Sequence, residues 1–416
     1  MRSVEEQQAR IRAAAVAPQP VRVAISQAHG LVCAEEVISE HPLPGFDQAA
    51  VDGYAVRSVD VTEAGPDFKG QFGQPADFAL PVVGEIRAGS RQPARLQPRQ
   101  AVRIETGAPM PTLADAVIPV GWTDAGRAKV KIYRPVRQGD YVRHAGDDVR
   151  LGDVAVAEGA VIGPAQVGLL AAVGRQRVLV RPRPRVAVVA VGAELVDIDR
   201  KPGSGQVFDV NTYALAAAAR DAGADVTRVG IAGSEVAEIR AAIESQVSRS
   251  EIIVISGAVG GSASEIVQEA LLDLGHMEIG RVAMHPGSIQ GFGQLGDLKV
   301  PTFLLPANPV SALVVFEIMI RPLIRLGLGK TNPQRRFVRA SLINDVVSID
   351  GRTGYVRGQL MRNSEGHYVV RALGVGTMSN LLADLAEANC LIQVPPETTQ
   401  VEAGEDVDVA FLAQRG

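Results

Sequence analysis

Between residues 185 and 330 the chain alternates unbroken apolar runs with amphipathic ones, and that alternation leaves few folds open. The run VAVVAV precedes NTYALAAAARDAG, whose apolar positions recur at helical spacing, and VTRVGIAG with EVAEIRAAIESQV repeats the pair. IIVIS with EIVQEALLDLG follows, then RVAMH and TFLLP lead to PVSALVVFEIMIRPLI. A strand without polar alternation is buried on both faces, as in a parallel sheet covered by helices. The expectation over 181–330 is a doubly wound α/β domain built on such a sheet. Ligands of these sheets bind beyond the carboxyl ends of the strands. The loop after Ser256 sits at that edge, with the loops starting at Gly192, Gly233, Pro286 and Ala307.

The stretch EIIVISGAVGGSASEIV, residues 251–267, reads as a strand ending at Ser256, a glycine-rich turn, and a helix from about Ser264. Backbone N–H groups at such a turn, with the helix dipole, hold anions. The turn carries no lysine, and its only acid is Glu265. Ser262 and Glu265 also stand at capping-box spacing, which satisfies orphan N–H groups at a helix start.

Around this domain the pattern changes. Residues 46–146 are short strands broken by glycine and proline (VDGYAV, ALPVVGEI, QAVRIETG, DAVIPV, KVKIY), a mainly β domain. Residues 1–45 open with a helical stretch and run into the strand GLVCAEEVISEHPLP; with 147–180, which holds the short helix IGPAQVGLLAAVG, they form a linking region. Pro164 suits the first turn of that helix. RPRPR, at 181–185, is a stiff connector, since each proline fixes φ. Residues 331–416 return to strands with one helix near MSNLLADLAEANC and read as a β-barrel-like domain.

At 416 residues the chain exceeds one ordinary core, and 46% hydrophobic with 21% charged residues is globular. A net charge of −4 provides no field for nucleic acid or an anionic membrane surface, so nucleic acid is not an expected partner. Cys33 and Cys390 are far apart, without a CxxC or a histidine cluster, and read as buried thiols of a reducing compartment. MRSVEEQQAR lacks the apolar core of a signal peptide, and LVVFEIMI is too short to span a bilayer. The expected location is the cytoplasm.

Several motifs, in order, resemble one family, the MoeA proteins and the E domain of gephyrin. FDQAAVDGYA (46–55), TGAPMPTLADAVIPV (106–120), VRHAGDDV (142–149), GQVFDVN (205–211) and LPANPVSA (305–312) carry the similarity, which runs from end to end. The resemblance implies an elongated homodimer of four-domain subunits, with 1–45 and 147–180 in dimerisation. Members of the family insert molybdate into adenylylated molybdopterin with Mg²⁺ and release AMP. Their site lies between the α/β domain of one subunit and the β region of the other. The resemblance implies catalytic positions at Asp52, Thr106, Asp148 and Glu194. It implies cofactor contacts at Arg143, Ser256, Gly257, Gly260, Gly261, Asn308 and Pro309, and a metal ligand at Glu265.

The chain departs from the family pattern where charge matters. Ala193 and the Ser234–Glu235 pair stand where the family has aspartates, and Glu265 replaces another. His285 and Ser288 stand where two lysines are expected, and Ala307 replaces a glycine. Each charge-assisted hydrogen bond lost this way removes about 1.5–3 kcal/mol. Plainer roles exist for several residues: Asp52 and Asp148 as turn formers, Asp209 and Asn211 as caps of a helix near Thr212, His285 as a loop histidine, Arg143 as a solvated arginine.

These changes give the reading of a degenerate insertase site on a retained scaffold. The scaffold then serves as a dimeric adaptor in bacterial cell division, close in character to Glp, an actinobacterial gephyrin-like protein. Its partner would be the FtsZ C-terminal tail, in the groove between the α/β and C-terminal domains, with recruitment to the septum and a membrane receptor completing the assembly. The alternative is an active molybdopterin molybdenumtransferase. A third reading is storage of molybdopterin without turnover.

Overall fold

The computed structural model describes residues 1–15, 18–64, 78–91, 95–261, 263–374 and 382–412. The chain divides into two compact units, Met1–Val21 with Leu179–Gly416, and Arg22–Val178.

The first unit opens with helix α1 (Val4–Ala13), whose Ser3 and Glu6 form a reciprocal capping box. Strand β1 (Arg185–Ala190), helix α2 (Asn211–Ala222), strand β2 (Asp225–Ile231) and helix α3 (Val236–Val247) follow. Next come strand β3 (Ile252–Val259), helix α4 (Ala263–Leu271) and strands β4 (Gly275–Arg281), β5 (Ile289–Leu295) and β6 (Val300–Pro306). Helix α5 (Pro309–Val315) continues through a π-helical turn, Phe316–Ile320, into Arg321–Gly327.

The six strands form one sheet in the order β2-β1-β3-β6-β5-β4. Its layers follow from strand alternation. Val186, Val188, Val254 and Phe303 pack on one face with α2, α5 and Val4 and Ile11 of α1. Ala187, Val189, Ile253 and Leu304 pack on the other with Ile239, Ile243 and Val267 of α3 and α4. The buried alternation that predicts an α/β domain is thus used on both sides. The sheet is not wholly parallel, however. β2, β1, β3 and β6 run parallel, whereas β5 is antiparallel to both of its neighbours, β6 and β4. The segments of β4 and β5 were not expected as strands, because their glycines and polar residues hide the pattern. Gly293 shows the cause: a Cβ there would collide with the His276 carbonyl of the neighbouring strand. β3 also runs past Ser256 to Val259, with a register shift between these two residues.

Strands β7 (Phe337–Leu342), β8 (Thr353–Arg362), β9 (Tyr368–Ala372), β10 (Cys390–Val394) and β11 (Asp406–Phe411) close into a five-stranded barrel, β8 pairing with both β9 and β10. Val370, Cys390, Ile392 and Val409 fill it. Leu382–Glu387 is the helix expected near MSNLLADLAEANC, of which 378–381 lie outside the described residues. The barrel and the α/β domain share a core, since Tyr355 and Leu391 belong to the cluster around Phe316. Met284–His285 pairs with Thr353–Gly354 of β8.

In the second unit a five-stranded sheet holds Gly53–Val56 between Ala116–Pro119 and Ala101–Ile104, with Ala79–Ile86 and Lys129–Lys131 beyond. Tyr54 and Ile118 pack on one face, Ala55 and Val117 on the other. The expected strand GLVCAEEVISEHPLP is reduced to Val32–Cys33 and Val37–Ile38. Val37–Ile38 pairs with Val154–Val156. Residues 1–21 instead belong with the first unit, because Val4 and Ile11 of α1 are buried in its core. Helix Pro164–Ala172 has proline in its first turn. Both cysteines are buried free thiols, and burial pushes that of Cys390 up to about 12.

Candidate functional site

At the carboxyl edge of the parallel strands lies a cavity of about 260 Å³. It is lined by Glu194 and Leu195 after β1, by Val207 to Asn211 leading into α2, by Ser256 and Gly257 of β3, and by Ala307 and Pro309 before α5. Parallel strands all end at this edge, so their loops converge here.

The floor is a buried polar cluster. Asn211 is 8% exposed and Ser256 1%. The Asn211 side-chain N–H donates to Ser256 Oγ at 2.6 Å and to the Ala307 carbonyl at 2.8 Å. Its Oδ1 is buried with no partner. A buried acceptor left open favours an arriving donor, because desolvation without a hydrogen bond is costly. Gly257 makes the floor possible: its φ is +78°, and a Cβ would meet the Val191 carbonyl. Only glycine takes that conformation without strain.

Asp209 caps α2 as expected, its Oδ1 accepting from Thr212 N at 3.0 Å and its Oδ2 from the Thr212 hydroxyl. Asn211, also read as a cap, is instead the first residue of the helix and turns into the cavity. Behind Asp209 stands Arg228 of β2, 3.6 Å away. Its guanidinium also donates to Thr212 Oγ1 at 3.1 Å and Asp197 at 2.9 Å, and lies 4.0 Å from the ring centre of Tyr213. The Tyr213 hydroxyl donates to Asp197 at 2.6 Å. The Tyr213 hydroxyl first, then the Arg228 guanidinium, draw the Asp197 carboxyl down to about 2.

The expected residues divide between the two units. Glu194, Ser256, Gly257 and Pro309 line the cavity. Asn308 caps α5 through Ser311 N at 3.0 Å. Gly260 and Gly261 are exposed with left-handed backbones, and Glu265 is exposed in the first turn of α4. Its expected capping partner, Ser262, lies outside the described residues. In the second unit Asp52 and Thr106 do meet: Asp52 Oδ1 accepts from the Thr106 N–H and hydroxyl, both at 2.7 Å. Those bonds hold the Asp52 carboxyl below its usual range. Arg143 is exposed opposite Gln48 in a two-stranded ladder, and Asp148 is exposed in the following turn. Asp47 accepts from Ala145 N at 2.8 Å and faces His144 Nδ1 at 3.1 Å, a pairing the sequence reading missed.

Three departures can be followed in space. Burial, then Arg352 and Arg357, lower the pKa of half-buried His285, so it is a poor cation where a lysine was expected. The Ser288 hydroxyl is spent on the Val282 carbonyl. The Ala307 carbonyl holds Asn211, and its methyl group is tolerated at the wall.

Three family profiles tile the chain: the MoeA N-terminal region (domain I and II) over 2–174, a probable molybdopterin binding domain over 187–326, and the MoeA C-terminal region (domain IV) over 339–412. Molybdopterin molybdenumtransferase 1 of Mycobacterium tuberculosis is 63% identical over the whole of both chains. The chain belongs to the MoeA family. Molybdopterin molybdenumtransferase 2 of the same organism is 37% identical, covering 98% of this chain and 99% of that one. A MoeA protein crystal structure from Pyrococcus horikoshii superposes with a TM-score of 0.81 at 28% identity, covering 98% of each chain. For a MoeA-family chain the relevant groups are a pterin phosphate and Mg²⁺. The open Asn211 acceptor suits a pterin N–H. Among the described residues no group of three or more acidic, histidine or cysteine side chains is arranged to hold a metal alone. Mg²⁺ needs only one or two carboxylates when phosphates complete its shell, and Glu194 has no ion pair among the described residues.

Proposed function

We propose that the chain is a molybdopterin molybdenumtransferase whose α/β cavity takes the pterin end of a molybdopterin nucleotide. The observation that carries this reading is the unpartnered, buried Asn211 Oδ1 in a cavity of suitable position, floored by Ser256 and Gly257. It is supported by the 63% identical relative, itself named molybdopterin molybdenumtransferase 1. Asn211 Oδ1 accepts a pterin N–H, while Leu195, Val207, Phe208 and Pro309 exclude water from the ring. Glu194 is the carboxylate that would hold Mg²⁺, and the ion would supply neutralisation of phosphate charge there. The proposal includes a homodimer, which light scattering on the purified chain tests. Titration with molybdopterin, followed by pterin fluorescence, tests the cavity directly: saturable binding that Asn211→Leu weakens supports the reading, and no binding overturns it.

A second reading has one observation in its favour. Where the family resemblance implies lysines, the chain has His285, disfavoured as a cation by burial, and Ser288, whose hydroxyl is already engaged. That suits a retired insertase serving as a protein-binding adaptor, with an FtsZ C-terminal tail taken between the α/β and barrel domains. This reading includes a membrane receptor as a further partner; among the described residues no helix is long and apolar enough to cross a bilayer. Absence of AMP release, together with saturable binding of the tail peptide, would favour it.

A further inference from the structure

The cavity wall contributed by residues 193–208 is poorly anchored by apolar packing. Of that segment only Val196 is buried; Ile198, Val207 and Phe208 are exposed at 59%, 54% and 45%. Its own ladder is two residues long, Leu195–Val196 against Val207–Phe208, and belongs to no larger sheet. Segments with so little burial open at low free energy. One side chain ties it to the rigid sheet: Asp197, which accepts from Tyr213 of α2 and from Arg228 of β2. Arg228 simultaneously faces Asp209 and Thr212 at the cavity floor. The same guanidinium therefore joins the weakly packed wall to the buried floor, and it stacks on Tyr213.

We propose that Asp197 and Arg228 are positioning residues that hold segment 193–208 over the cavity and thereby set how tightly it takes the pterin end of molybdopterin. The ligand half of this inference rests on the molybdopterin reading above. Neither residue lines the cavity, so each acts through Leu195, Val207 and Phe208, which do. Asp197→Ala is the cleanest variant, because it frees the segment and leaves the Arg228–Asp209 pair in place. Arg228→Ala also strips buried Asp209 of its cation and disturbs the floor.

Two measurements on the full chain decide it. By hydrogen exchange without ligand, Asp197→Ala speeds exchange across 195–209 about tenfold while β1 and β3 keep their protection. By pterin fluorescence, the same variant weakens molybdopterin binding about tenfold, and it raises KM more than it lowers kcat. Tyr213→Phe, which removes one of the two side-chain donors to Asp197, gives a smaller shift of the same kind. Adding Asp197→Ala to Arg228→Ala has a smaller effect than Asp197→Ala has on the wild-type chain, as coupled residues require, because only the Tyr213 bond is left to lose. Unchanged exchange and affinity in Asp197→Ala, with the wild-type chain binding molybdopterin, overturns the inference. Faster exchange in the variant with no molybdopterin binding by wild type overturns the functional reading instead, and upholds the tether as a device of the fold.

Discussion

Asp209 and Asp52 are held in the same way and live in opposite surroundings. Each accepts from the N–H and the hydroxyl of one threonine, Thr212 for Asp209 and Thr106 for Asp52. Asp209 is 2% exposed, with Arg228 at 3.6 Å; Asp52 is exposed in a turn. Around Asp209 water cannot replace a lost partner, so the motif fixes the start of α2 and, with it, Asn211 in the cavity. Around Asp52 water can step in, so the same bonds orient a carboxylate without holding the fold. Burial, rather than the motif, decides whether such a pair is structural.

The largest test of that contrast is Asp209→Ala. It takes away the buried one of Arg228's two carboxylates and the cap of α2, destabilising the chain by about 3 kcal/mol in thermal or urea unfolding, whereas Asp52→Ala changes stability by less than about 1 kcal/mol. Equal losses at the two sites would break the comparison. Asn211→Leu comes next: it fills the space without an acceptor and weakens molybdopterin binding about tenfold, roughly 1.4 kcal/mol, by fluorescence titration. Thr212→Val removes only the buried hydroxyl and costs about 1 kcal/mol in the same unfolding assay.

Thr106→Val has the smallest effect and shows itself through pH. The folded Asp52 carboxyl titrates below 3.8 because Thr106 stabilises its anion. Its contribution to stability is therefore present above the unfolded value near pH 4 and is lost as pH falls through the folded value. In Thr106→Val the Asp52 titration, followed by carboxyl NMR, moves up towards 3.8, and the stability difference from wild type vanishes in acid.

What the sequence made legible is what local rules encode. The buried strands β1, β3 and β6, the start of α5 at Pro309, and the Asp209 cap of α2 each follow from a pattern a few residues long. So did the barrel-like C-terminal domain, read from its run of short strands; the bond between Asp52 and Thr106 did not, since 54 residues separate them. β4 and β5 were hidden because Gly291, Gly293 and their polar neighbours resemble loop, and only the adjacent strand makes them a sheet. The Arg228 network was invisible because its hydrogen-bond partners Thr212 and Asp197 lie 16 and 31 residues away in sequence, beyond any helical or strand spacing. Asn211 lay in a recognised motif, yet its role depends on Ser256 and Ala307 meeting it from two other loops. The lost lysines weighed heavily in the sequence reading, and the family relatives favour the transferase alternative over the adaptor.

The most direct test is AMP release by the purified chain from adenylylated molybdopterin with Mg²⁺, with and without molybdate. A working transferase releases AMP in a molybdate-dependent way, and Asn211→Leu slows that release. No AMP from the native chain, under conditions where a variant carrying Ala193→Asp, Ser234→Asp, His285→Lys and Ser288→Lys releases it, would contradict the account and mark the site as retired.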